Sequence, residues 1–135
     1  MAAIEDRPIA AGRRVVVVED NERSRRLIGH VLERDGFDTL AVATGEEALA
    51  AVRANPPDLL LLDIQLAGSE LGGEAVLQLV REDPRTAGTV VIALTAYAVR
   101  GDEERFLAAG FDGYIAKPID VRTVVSELLS YLPPS

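Results

Sequence analysis

The chain has 135 residues, 48% hydrophobic and 27% charged, which is enough for one domain with a packed core and too apolar for a disordered or fibrous protein. Twenty-two acids against fourteen bases give a formal charge of −8, which repels nucleic acid and anionic membranes, and the lack of cysteine excludes a disulfide scaffold, thiolate metal ligands and a cysteine nucleophile. The longest strongly apolar stretch, Leu59 to Leu62, is far short of a membrane span, and the segment MAAIEDRPIAAGRR has no secretory-signal pattern, so a soluble, cytoplasmic protein is expected.

Residues 1–12, Ala-rich with one proline, read as a loose tail. Val15 to Val18 is a β-branched run bounded by Glu19 and Asp20, which predicts a buried strand. Asn21 can cap a helix in which Leu27, Ile28, Val31 and Leu32 recur at helical spacing, and Gly36 stands where helix stops favour glycine. Leu40 to Val42 is a weaker second strand. Thr44 and Glu47 have the spacing of a capping box opening a helix through Ala48, Leu49 and Val52. Leu59 to Leu62 is apolar on both faces, as in the centre of a parallel sheet covered by helices. Gly72-Gly73 precedes a helix carrying Val76, Leu77 and Val80. Val90 to Leu94 predicts the fourth strand, closing on Thr95, followed by a helix over about 99–109 that ends at Gly110. Tyr114 to Ala116 is a short fifth strand. Val121, Val124, Val125, Leu128, Leu129 and Leu132 then fall at helical spacing, so the last helix is predicted to run from Val121 to Leu132.

Five strands alternating with five helices predict an α/β fold, a doubly wound parallel sheet with helices on both faces. Ligands bind such sheets at the carboxyl ends of the strands. Strand one ends in Glu19-Asp20, strand three in Asp63, strand four in Thr95 and strand five in Lys117-Pro118. Each has a plainer use alone: an acid after a strand caps a helix or starts a loop, a threonine forms strands, and a lysine before a turn is a surface base. Their joint occurrence at four of five strand ends is the stronger signal. Three carboxylates against one lysine leave a repulsion that a proton or a divalent cation must relieve, and all-oxygen ligation favours Mg²⁺ or Mn²⁺.

The segments VVVVEDN at 15–21, LLLLDIQL at 59–66, VIALTAYA at 91–98 and GYIAKPID at 113–120 resemble the receiver domains of two-component response regulators, most closely the stand-alone single-domain regulators and the receivers of hybrid kinases. The resemblance covers residues 14–132 and implies a flavodoxin-like receiver domain over 13–135, in a bacterial phosphorelay. It implies that Asp63 is the phospho-acceptor, a carboxylate nucleophile taking a phosphoryl group from a phosphohistidine on a histidine kinase or histidine phosphotransfer protein. Glu19, Asp20, Asp63 and the backbone carbonyl of Gln65 would hold Mg²⁺. Lys117 would pair with one phosphoryl oxygen and Thr95 with another, Pro118 would follow a cis peptide, and Tyr114 would be the switch aromatic. The chain would catalyse only its own phosphorylation and dephosphorylation, so it is not expected to be an enzyme in the ordinary sense.

Two positions depart from the family pattern. Ala67 stands where a proline is usual four residues after the phospho-acceptor, and the loop 68–73 is one residue longer than usual. Gln65 and Tyr97 lie two residues after Asp63 and Thr95 and are expected to overhang the pocket and tune the rate; a tyrosine there would obstruct hydrolytic water and prolong the phosphoryl lifetime. The residues after Lys117 suffice for one helix, so no attached output domain is expected. By resemblance, output goes to a downstream protein through the face of the fourth helix, fifth strand and fifth helix, about 99–109, 113–116 and 120–131, as a monomer or a phosphorylation-dependent dimer. Arg23, Arg25 and Arg26 form a basic cluster near the pocket, suited to an acidic partner or simply to solvent.

Other classes fit less well. A haloacid-dehalogenase phosphatase would want a second aspartate where Gln65 stands. A flavin module would want a phosphate loop where Glu19 to Glu22 would repel phosphate, and no nucleotide-binding P-loop is present. A pseudo-receiver, folded but never phosphorylated and acting as a docking module, is the remaining alternative.

Overall fold

Four consecutive valines cannot hide on one face of a strand, because successive side chains point to opposite sides. The computed structural model, which describes residues 9–66, 70–96 and 102–133, covers both sides with helices. The strands are β1 (Arg14–Val18), β2 (Asp38–Val42), β3 (Leu59–Asp63), β4 (Val90–Thr95) and β5 (Gly113–Ala116). They form one parallel sheet in the order β2-β1-β3-β4-β5. The helices are α1 (Glu22–Arg34), α2 (Gly45–Ala54), α3 (Gly73–Glu82), α4 (Asp102–Ala109) and α5 (Val124–Leu129).

The alternation sorts the core into two layers. Val15, Val17, Leu59, Leu61, Ile92 and Leu94 pack with Ile28, Val31 and Leu32 of α1 and Val124, Val125 and Leu128 of α5. Val16, Val18, Leu60, Leu62, Val91 and Ala93 pack on the other face with Leu49 and Val52 of α2, Val76, Leu77 and Val80 of α3, and Phe106 of α4. All four leucines of β3 are fully buried. Each contributes roughly 1.5–3 kcal/mol of apolar burial relative to an exposed side chain.

Local signals fix several helix ends. Asn21 caps α1 by accepting the Ser24 N–H at 2.9 Å, and α1 closes at Gly36 (φ +103°), where Phe37 N–H returns to the Leu32 carbonyl. Thr44 accepts the Glu47 N–H at 3.1 Å while the Glu47 carboxylate accepts the Ala43 N–H at 3.3 Å, a reciprocal cap displaced by one residue from the usual pairing.

Two elements differ from expectation by more than one residue. Strand β2 starts earlier, at Asp38, because Asp38 to Val42 pairs along the whole of β1. The last helix is shorter than 121–132. Asp120 accepts the Arg122 N–H and takes the chain through a turn, Val121 is exposed, and beyond Leu129 the backbone tightens into i→i+3 bonds such as Leu132 N–H to Leu129 O. The expected start of α4 near Val99 lies outside the described residues, as do residues 1–8 of the loose tail. Ala10 is buried, and its N–H donates to the Asp35 carbonyl at 2.9 Å.

Candidate functional site

The register of the sheet assembles the site. Val18 pairs with Leu62, Asp63 with Leu94 and Thr95 with Ala116, so Glu19, Asp63, Thr95 and Lys117 follow one another across the carboxyl edge of four adjacent strands. The Lys117 N–H donates to the Thr95 carbonyl at 2.8 Å, which ties the start of the next loop to the end of β4. The Lys117–Pro118 peptide is cis.

Glu19 is fully buried and Asp63 nearly so, at 0% and 3% exposure. Lys117 bridges them: its Nζ donates to Asp63 Oδ2 at 2.9 Å and stands 2.9 Å from Glu19 Oε1. Burial alone would lower the Lys117 pKa; the contacts to Asp63 and Glu19 outweigh it and hold the ammonium above the ordinary lysine value. The other carboxylate oxygens are held by backbone: Gln65 N–H donates to Asp63 Oδ1 at 2.9 Å and Asn21 N–H to Glu19 Oε2 at 3.1 Å.

Glu19 Oε1 has the ammonium beside it but, among the described residues, no hydrogen bond of proper direction. A buried carboxylate oxygen in that condition is costly and suits a cation. Asp20, half-buried, completes a group in which one carboxylate oxygen each from Glu19, Asp20 and Asp63 lie within 4.8 Å of one another. Three hard oxygen donors and no nitrogen or sulfur donor make a set that can hold a divalent cation of the oxygen-seeking kind.

Of the remaining predicted site residues, Thr95 is buried at the end of β4 and Gln65 is exposed beside Asp63. Tyr114 is half-buried with its ring 5.7 Å from that of Phe106, between β5 and α4. Ala67, residues 68–69 and Tyr97 lie outside the described residues. An apolar groove of about 300 Å³ opens beside the carboxylates, lined by Leu27 and Ile28 of α1, Ala96, Pro118 and Ile119.

Two contributors have no motif to announce them. Arg25 lies half-buried on α1, with Nη1 donating to the carbonyls of Glu19 (3.0 Å) and Asp20 (3.4 Å), whereas Arg23 and Arg26 are exposed and Arg26 pairs with Glu22 at 2.7 Å. Gly73 presses the start of α3 against the end of β3: a Cβ there would stand 2.7 Å from the Asp63 carbonyl oxygen and 2.9 Å from Ile64 Cα.

The family model of the response regulator receiver domain matches residues 15–129. The polar-differentiation response regulators DivK of Brucella ovis and Brucella abortus are each 41% identical over 118 residues, covering 87% of this chain and 94% of theirs. The receiver domain of the sensor histidine kinase PA1611 of Pseudomonas aeruginosa, solved with a magnesium ion coordinated in its active site cleft, superposes with a TM-score of 0.79 at 30% identity, covering 90% of this chain and 98% of that one. The chemotaxis protein CheY4 of Vibrio cholerae shares the fold, with a TM-score of 0.82 at 24% identity over 90% of this chain and 100% of its own.

Proposed function

The chain belongs to the response regulator receiver domains, and from that premise we propose that it takes a phosphoryl group from a phosphohistidine donor onto Asp63 in a Mg²⁺-dependent reaction. The observation that carries the proposal is the Lys117 ammonium held at 2.9 Å from both Asp63 Oδ2 and Glu19 Oε1, beside three clustered carboxylates.

An Asp63 carboxylate oxygen attacks phosphorus in line; the new O–P bond forms as the P–N bond of the phosphohistidine breaks and its electron pair stays on the imidazole nitrogen. Backbone and Lys117 contacts hold the nucleophile, so little rotation precedes attack. Lys117, already a cation at the reacting oxygen, turns to a phosphoryl oxygen, and the Thr95 hydroxyl donates to another. Glu19, Asp20, Asp63 and the Gln65 carbonyl are the ligands we assign to Mg²⁺, with Mn²⁺ as the alternative; when bound, the ion neutralises phosphoryl-oxygen charge. The magnesium in the PA1611 receiver supports this assignment.

The donor, a histidine kinase or histidine phosphotransfer protein, docks where α1 and the Pro118-Ile119 loop line the groove beside Glu19 and Lys117, with the exposed Arg23 and Arg26 elsewhere on α1. The signal leaves through the face of α4, β5 and α5 to a downstream protein, with Tyr114 as the switch residue. No helix among the described residues is long and apolar enough to cross a membrane, which agrees with the cytoplasmic location we propose.

Intact-protein mass after incubation with acetyl phosphate or a phosphorylated histidine phosphotransfer protein tests the reading. One added phosphoryl group that requires both Mg²⁺ and Asp63 is expected, and Asp63→Asn removes it. A folded, Mg²⁺-binding chain that takes phosphate from neither donor would instead be a docking module.

A further inference from the structure

The turn that carries Glu19 and Asp20 is tethered at several points. Glu19 N–H donates to the Val42 carbonyl at 3.0 Å, Asn21 N–H to the Glu19 carboxylate at 3.1 Å, and Asn21 in turn caps α1. The remaining tether comes from one turn along the helix, where the half-buried Arg25 guanidinium reaches back to the carbonyls of both acids. One nitrogen, Nη1, is shared between the two successive carbonyls, at 3.0 Å and 3.4 Å; this restrains their peptide planes, and those planes set where both carboxylates start.

We propose that Arg25 is a positioning residue for the cation site: by clamping the Glu19 and Asp20 carbonyls it presents their carboxylates in the arrangement a divalent ion needs, and so raises Mg²⁺ affinity. This rests on the Mg²⁺ reading of the site given above. The Arg25 hydrogen bonds go to backbone carbonyls, not to the carboxylates that would hold the ion. By charge alone its effect has the opposite sign, since a cation beside two ligand residues opposes the entry of another. The direction of the change in affinity therefore separates positioning from charge.

The test is calorimetric titration of Mg²⁺ into the full chain, metal-free, as wild type, Arg25→Ala, Arg25→Lys and Arg81→Met. Arg81 is the structural control; it braces Gly110 and Asp112 at the far end of the sheet and makes no contact with the acidic turn. Groups that orient metal ligands typically change affinity about tenfold to a hundredfold, so R25A is expected to weaken Mg²⁺ binding about tenfold or more, with R25K recovering part of the loss. R81M is expected to lower the thermal midpoint and leave the affinity unchanged. Amide shifts of residues 19–21 in the metal-free R25A protein are expected to move as well. If R25A does not fold, R25K is expected to show the same sign at smaller size. Mg²⁺ affinity equal to or tighter than wild type in the folded variants overturns the proposal and leaves the metal reading intact. No binding by wild type overturns both.

Discussion

The Lys117 ammonium is held by two nearly enclosed carboxylates, and the consequences can be measured at that residue. Its pKa is raised in the folded chain, so the contribution of the ion pairs is complete below the unfolded lysine value of about 10.4 and is lost as pH rises through the higher folded value. Denaturant unfolding from pH 7 to 11 is expected to find Lys117→Met less stable than wild type at neutral pH, with the gap closing at the alkaline end. Taking the difference between the two proteins cancels the alkaline limb of Tyr131, whose hydroxyl burial also raises. Phosphoryl transfer is expected to fall sharply in the same variant while Mg²⁺ still binds. Glu19, Asp20, Asp63, Thr95 and Lys117 were all legible in the sequence as strand ends. Arg25 was legible only as one of a basic cluster near the pocket, because three arginines in four positions of α1 look alike until the helix phase and the backbone of the preceding turn decide which one faces inward.

At the scale of elements, two helix starts make contrasting predictions. At α2, Thr44→Ala removes the side-chain cap and is expected to cost about 1 kcal/mol in unfolding experiments, with phosphorylation unaffected. At α3, Gly73→Ala drives a methyl against the Asp63 carbonyl and Ile64, so it is expected to cost about 1–3 kcal/mol and also to slow phosphoryl acceptance, since the end of β3 must shift. Equal phosphorylation rates in Gly73→Ala and wild type would refute that coupling. The capping box could be read from Thr44 and Glu47 because a cap is a local contact. The length of α5 could not. Leu132 stays buried after the helix has ended, through i→i+3 turns, so the apolar period runs on past the element that it marks. The role of Gly73 was hidden for a different reason: it depends on how closely α3 approaches a strand ten residues earlier, which is a property of packing.

For the whole molecule, the fold was legible because β-branched and leucine runs alternate with helical periods, and right-handed crossovers leave few sheet orders. A ligand that binds only the folded chain stabilises all of it. Mg²⁺ at a hundred times its dissociation constant is expected to add about 2.7 kcal/mol, seen as a rise in thermal midpoint that a chelator reverses and Asp63→Asn reduces. Thirteen of the fourteen basic side chains are arginine, and Lys117 is the one lysine in the sequence. Apart from the chain's α-amine, the sequence therefore offers a single aliphatic amine, sitting in the reaction pocket and held in its unreactive ammonium form. An amine-directed reagent thus becomes a footprint with one position: the rate at which a second acyl group appears by mass reports whether the pocket is open, paired or filled, without a label or an engineered probe.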